Sequence, residues 1–249
     1  MSLFYEDVGD GPPVVLVHGW PLSHRFWEPQ IGPLVAAGRR VVCYDRRGFG
    51  CSSRPWHGYD LDTFTADLAA LVESLGLTGL ALVGFSTGCA EAVRYAAASG
   101  RVARLVLGSP ALFADPLAHE LRAASLRHRI PMLDDLLLRF FAVEGLSALD
   151  EPTRQYLLRH AADASATATA ESLTAWGTAD PRADLARVTV PTLVIQGAGD
   201  AFVPLEDGGT RVTRAIAGSS LVTIPAAPHA AALTHAEQWN ELVLEFLAR

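Results

Sequence analysis

Short apolar runs punctuated by glycine, proline and aspartate recur along the chain. They fall at 13–17 (PVVLV), 40–44 (RVVCY), 80–84 (LALVG), 104–107 (RLVL), 192–196 (TLVIQ) and 221–224 (LVTI). Each is too short for a helix, rich in β-branched residues and without sustained polar alternation. Runs of that kind read as strands buried on both faces, as in a parallel sheet. Helical patterns fill the intervals. At 62–75, Phe64, Leu68, Leu71, Val72 and Leu75 share one side of a 3.6-residue repeat. Asp62 and Thr63 offer N-cap chemistry there, and Gly76 offers a stop. Segments 87–98 and 236–247 read similarly. Strand followed by helix, repeated, predicts an α/β fold with right-handed crossovers.

The alternation breaks between residues 112 and 188. That stretch is rich in alanine, leucine, arginine and histidine and has no strand-like run. It is expected to form a helical cap inserted into a core made of residues 1–111 and 189–249. Pro131, Pro152 and Pro181 are expected to separate its helices. No internal repeat is evident.

Chemistry concentrates at the ends of the apolar runs. Gly84-Phe85-Ser86-Thr87-Gly88 is a G-x-S-x-G motif between a strand pattern and a helix pattern. That is the setting of a nucleophile elbow, whose tight turn exposes a serine and whose small neighbours let strand and helix approach closely. A serine hydroxyl needs a base to take its proton. In elbow enzymes the acid and then the histidine follow the serine along the chain. Asp200, closing VIQGAGD, and His229, in IPAAPHA, each follow a strand pattern in that order. Ser86, Asp200 and His229 are therefore the expected catalytic residues. Asp115 is a weaker alternative for the acid. His235, His119, His128 and His160 read as surface or capping residues, and His18 as structural. The loop VHGWP after the first run supplies the second half of the site. The expected oxyanion donors are the backbone N–H groups of Trp20 and Thr87. Phe85, Phe113, Leu117, Phe140 and Trp176 are candidates for the substrate pocket.

Composition narrows the partners. The 249 residues are 50% hydrophobic and 19% charged, which suits a well-packed globular enzyme. Net charge is −7, and every basic residue is arginine, with no basic run. Nucleic-acid binding needs clustered positive charge, so no nucleic-acid partner is expected. A small-molecule acyl substrate is. Cys43, Cys51 and Cys89 show no disulfide or zinc spacing and read as free thiols. No signal peptide and no apolar run of membrane-spanning length is visible, so a cytoplasmic protein without membrane contact is expected. A homo-oligomer is compatible with this composition.

Taken together, HGWPLSHRFWE, YDRRGFGCSSRPWHGYDLDTF, GFSTG, GAGD and PHAAALTHAEQWNELVLEFL resemble the α/β hydrolases. Within them they resemble the bacterial cofactor-free haloperoxidase and perhydrolase branch, which includes arylesterases and γ-lactamases. The resemblance covers most of the chain outside 112–188. It implies the α/β-hydrolase fold, with a mostly parallel central sheet flanked by helices and a helical cap insertion. It also implies ester hydrolysis through a Ser86 acyl-enzyme, peracid formation with hydrogen peroxide, and no haem, metal or other cofactor. The sequence departs from the family pattern at Ala230 and Cys89, where glycine is usual. The same triad also serves C–C bond hydrolysis and biosynthetic cyclisation or acyl transfer, and a hydrolase scaffold can serve as a non-catalytic ligand binder. A serine at the elbow disfavours dehalogenase and epoxide-hydrolase chemistry, which needs an aspartate there.

Overall fold

In a computed structural model, which describes residues 1–147 and 149–249, all six apolar runs form strands. In chain order the strands are β1 (Tyr5–Val8), β2 (Pro13–Val17), β3 (Arg40–Tyr44), β4 (Leu80–Phe85), β5 (Val102–Gly108), β6 (Ala142–Val143), β7 (Leu146–Ser147), β8 (Thr192–Gly197) and β9 (Ser220–Ile224). The helices are α1 (Glu28–Ala36), α2 (Leu61–Ser74), α3 (Gly88–Ala98), α4 (Pro116–Phe140), α5 (Glu151–Ala162), α6 (Ala166–Gly177), α7 (Arg182–Leu185), α8 (Gly209–Ala215), α9 (Ala231–Thr234) and α10 (Ala236–Ala248).

One seven-stranded sheet has the order β1-β3-β2-β4-β5-β8-β9. Only β1 runs antiparallel to its neighbour. The chain lays β3 on one side of β2 and then crosses to lay β4 on the other. Ligands in such sheets bind beyond the carboxyl ends of the strands at that switch. The loop after β2 and the turn after β4 meet there. β4 is buried along its whole length, which explains its unbroken apolar run. β1 went unforeseen because it is an edge strand with mostly exposed residues, and edge strands need no apolar run.

Helix starts differ in detail from expectation. Asp60, rather than Asp62 or Thr63, caps α2, its carboxylate accepting from Thr63 N–H at 2.8 Å. Gly76 then ends the turn at φ 62°. α1 was hidden by Gly32, Pro29 and Pro33, which blur its period, although Pro29 fits the first turn. Between β5 and β8, α4 is broken at His128, whose φ of −146° is not helical, and Pro131 lies in the first turn of the second segment. Pro152 opens α5 and Pro181 precedes α7. A small hairpin, β6–β7, corrects the expectation of no strands in this stretch. Its turn residues Glu144 and Gly145 both have positive φ (51° and 81°), which suits the twist of a two-residue hairpin.

The helices between β5 and β8 share the core of the sheet. Leu133, Phe140 and Trp176 belong to one buried cluster with Val14, Val83 and Phe85. The opposite face packs separately around Val15, Leu82, Leu105 and Val194, with Cys89, Ala92 and Val93 of α3. Among the described residues, no helix is long and apolar enough to cross a membrane.

Candidate active site

Ser86 occupies the sharp turn between β4 and α3, at φ 51°. Positive φ is costly for a residue with a side chain, so surrounding contacts must hold it. Ser86 N–H donates to Gly108 O at 2.9 Å, and its carbonyl accepts from Cys89 N–H at 3.1 Å and Ala111 N–H at 3.2 Å. The flanking glycines are steric requirements. A Cβ at Gly84 would lie 2.9 Å from Cys89 Cα, and one at Gly88 would lie 2.5 Å from His18 O.

The structure brings the three nominated residues together. His229 Nε2 stands 3.0 Å from Ser86 Oγ, and His229 Nδ1 stands 2.8 Å from Asp200 Oδ2. With Nδ1–H donating to the carboxylate, Nε2 keeps the lone pair that faces the serine. Asp200 also accepts from Phe202 N–H at 3.1 Å, Val203 N–H at 2.9 Å and Gln196 Nε2 at 3.1 Å. Those donors fix the carboxylate in place beside the imidazole. Ser109 Oγ donates to His229 O at 2.7 Å and anchors the histidine loop from the end of β5.

Ser86 and His229 are both buried, and aromatic rings surround the imidazole. Phe140, Phe202 and Phe85 have ring centroids 4.9, 5.0 and 5.2 Å from that of His229. Excluding water strengthens every charge interaction inside. Phe202, Gln196 and Ser109 were not nominated from the sequence. Their only signal is position, at or just beyond the ends of β5 and β8.

The loop after β2 arrives beside the elbow. Trp20 N–H, an expected oxyanion donor, donates to Thr87 Oγ1 at 2.9 Å. Thr87 N–H makes no hydrogen bond to the described residues. Beneath the loop, His18 Nδ1–H donates to Gly19 O at 2.9 Å and Nε2 accepts from Arg46 N–H at 3.0 Å. Burial pushes the His18 pKa down to about 3, so this histidine is a neutral strut, as its expected structural role requires.

The pocket candidates scatter. Phe85 and Phe140 face His229. Trp176 lines a small cavity beside Thr87. Phe113 lies under the Arg211 guanidinium, 3.5 Å from its ring centroid, along an outer groove. Leu117 is half-buried against the core. Asp115, the alternative acid, is not the carboxylate bonded to His229. It caps α4 by accepting from Leu117 N–H at 2.8 Å. His235 caps nothing with its side chain, which pairs with Thr234 Oγ1 at 2.8 Å. His160 packs edge-on against Tyr156.

Comparison with known proteins places this geometry among relatives. Residues 12–236 match the alpha/beta hydrolase fold family. A putative non-heme chloroperoxidase from Synechocystis is 40% identical over 263 positions, covering 99% of this chain and 95% of the relative. A bifunctional esterase/perhydrolase from Acinetobacter calcoaceticus is 31% identical, with 99% and 96% covered. The crystal structure of a bromoperoxidase from Bacillus anthracis aligns with a TM-score of 0.95 at 40% identity, over 99% of this chain and 95% of that one.

Proposed function

This chain belongs to the α/β-hydrolase fold family and is a hydrolase-type enzyme, and on that premise we propose that it cleaves carboxylic esters through an acyl-enzyme on Ser86. The observation that carries the reading is the unbroken hydrogen-bond line from Ser86 Oγ through His229 to Asp200. His229 Nε2 takes the serine proton as Oγ attacks the ester carbonyl. Asp200 steadies the imidazolium that forms. The carbonyl oxygen becomes an oxyanion and accepts from Thr87 N–H and Trp20 N–H. On collapse, His229 returns the proton to the leaving alcohol. Water then attacks the acyl-enzyme with the same base and releases the acid. Hydrogen peroxide in place of water releases the peracid, an activity in keeping with the perhydrolase named among the relatives.

Residues 112–188 act as a cap in this reading. Phe140 reaches His229, and Trp20 Nε1–H donates to Thr169 O of α6 at 3.0 Å, so the inserted segment roofs the site. Phe85, Phe140 and Trp176 are the pocket candidates best placed to meet substrate. Three free thiols fit a reducing compartment, and we place the enzyme in the cytoplasm.

The test is p-nitrophenyl acetate hydrolysis by wild type and Ser86→Ala, prepared alike. Wild type should turn over, and the folded variant should lose at least about 10⁴-fold in kcat. A folded wild type without turnover, or a variant that matches it, would end the ester-hydrolase reading.

A further inference from the structure

The expected oxyanion seat is partly taken. Trp20 N–H, one of its two donors, is spent on Thr87 Oγ1 at 2.9 Å. The other donor is the N–H of the same Thr87, so one residue supplies a donor to the seat and an acceptor that competes for it. A substrate oxyanion cannot have the full use of Trp20 N–H while the threonine hydroxyl holds it.

The same hydroxyl has a second donor. Arg46 Nη1 already donates a long hydrogen bond to Thr87 Oγ1, at 3.4 Å, while Trp20 N–H holds the same oxygen more closely. The Arg46 guanidinium is buried and stacked over Phe64, with its carbon 4.1 Å from the ring centroid. Its Nε stands 2.9 Å from Glu91 Oε1, yet neither that Nε nor Glu91 Oε2 finds a well-aligned hydrogen-bond partner. Buried polar groups left without partners need an explanation. Those atoms lie on the Glu91 side of the guanidinium, while Nη1, on the Thr87 side, has its long bond to Oγ1. Arg46 and Thr87 also line one small cavity together with Leu112 and Trp176.

We propose that the Thr87 hydroxyl is a gate on the oxyanion hole and that Arg46, held by Glu91, is the positioning residue that opens it. In the resting enzyme Thr87 Oγ1 accepts from Trp20 N–H and keeps the loop after β2 in register. As the oxyanion develops, the hydroxyl draws fully onto Arg46, shortening the bond it already has, and frees Trp20 N–H. The neutral hydrogen bond given up is offset by the tightening of a charge-assisted one, so opening costs little. The inference rests on the ester-hydrolase reading of the same site.

The experiment is a mutant cycle read as kcat/KM on p-nitrophenyl acetate and as Ki for a phenyl trifluoromethyl ketone, which forms an oxyanion on the enzyme. Thr87→Val keeps the shape and removes the competing acceptor. It should raise kcat/KM by about threefold or more and tighten the ketone in parallel. Removing the opener and its counter-charge together, Arg46→Met with Glu91→Gln, should lower kcat/KM about tenfold when Thr87 is present and change it little in the Thr87→Val background. A merely structural role for Arg46 would cost the same in both backgrounds, and that outcome overturns the proposal. A fall in kcat/KM for Thr87→Val also overturns it, since the hydroxyl would then be aiding the transition state. Should the paired-charge variant fail to fold, the Thr87→Val measurement decides alone. Turnover that depends on Ser86 but does not rise in Thr87→Val refutes the gate only. Turnover that survives Ser86→Ala refutes the ester-hydrolase reading itself.

Discussion

At Glu91, burial and charge pull in opposite directions. The side chain is fully buried in α3, accepts from Tyr44 O–H at 3.2 Å and faces Arg46. Burial dominates and pushes its pKa from 4.5 up to about 7, against the pull of the Arg46 charge. The folded chain therefore holds a proton that the unfolded chain gives up between those values. This group's contribution to stability is complete below the unfolded pKa of 4.5 and is lost as pH rises through about 7. Glu91→Gln, which cannot ionise, should flatten the decline in stability across that window. Urea melts at several pH values would read it, and an unchanged slope would mean that the carboxyl ionises in the fold as it does in water. His18 shows the same physics with the opposite sign. Its burial leaves a neutral ring, and only a neutral ring can accept from Arg46 N–H.

Between elements, the critical contact is the approach of α3 to the loop after β2. The first residue of α3 is Gly88, and its open side faces His18 O, where an added Cβ would sit at 2.5 Å. Backbone is all that lines the contact there, so no flexible side chain can yield. Gly88→Ala should push the loop and its Trp20 N–H away from the elbow. The expected result is a loss of about 100-fold in kcat/KM, on the scale of a missing oxyanion donor, together with a lowered Tm. Activity and Tm close to wild type would show that the loop can shift without cost. The neighbouring element boundaries follow similar local rules. α2 begins where Asp60 can reach Thr63 N–H, and it ends where Gly76 can take a positive φ.

Across the whole molecule, the helices between β5 and β8 pack into one cluster with the sheet, close to a buried serine. Trp20 joins them, with its backbone at the elbow and its indole N–H on Thr169 O of α6. Trp20→Phe preserves most of the buried ring and removes that bond. It should cost about 1–2 kcal/mol of stability, because the carbonyl left behind is buried. Amide exchange should rise along α6 before it rises in β4. Equal protection of α6 in both proteins would show that the helix is held by packing alone.

The buried strands and the order of Ser86, Asp200 and His229 were legible in the sequence. Parallel strands buried on both faces must be apolar throughout, and an elbow must have small residues beside its serine. Those demands are local, so they leave local traces. The exposed edge strand β1 and the proline-interrupted α1 left none, because solvent or a helix end relieves the constraint there. The candidate acid shows the same division. Asp115 and Asp200 both follow a strand, and only folding sends one to cap α4 and the other to His229. The aromatic cage of Phe85, Phe140 and Phe202 draws on three distant segments, and the Thr87–Arg46 contact draws on two. The sequence by itself therefore determined the sheet, the elbow and the types and chain order of the three residues that meet there. Tertiary structure alone decided which groups enclose them and where each hydrogen bond is spent, because those depend on distances between segments that no local pattern records.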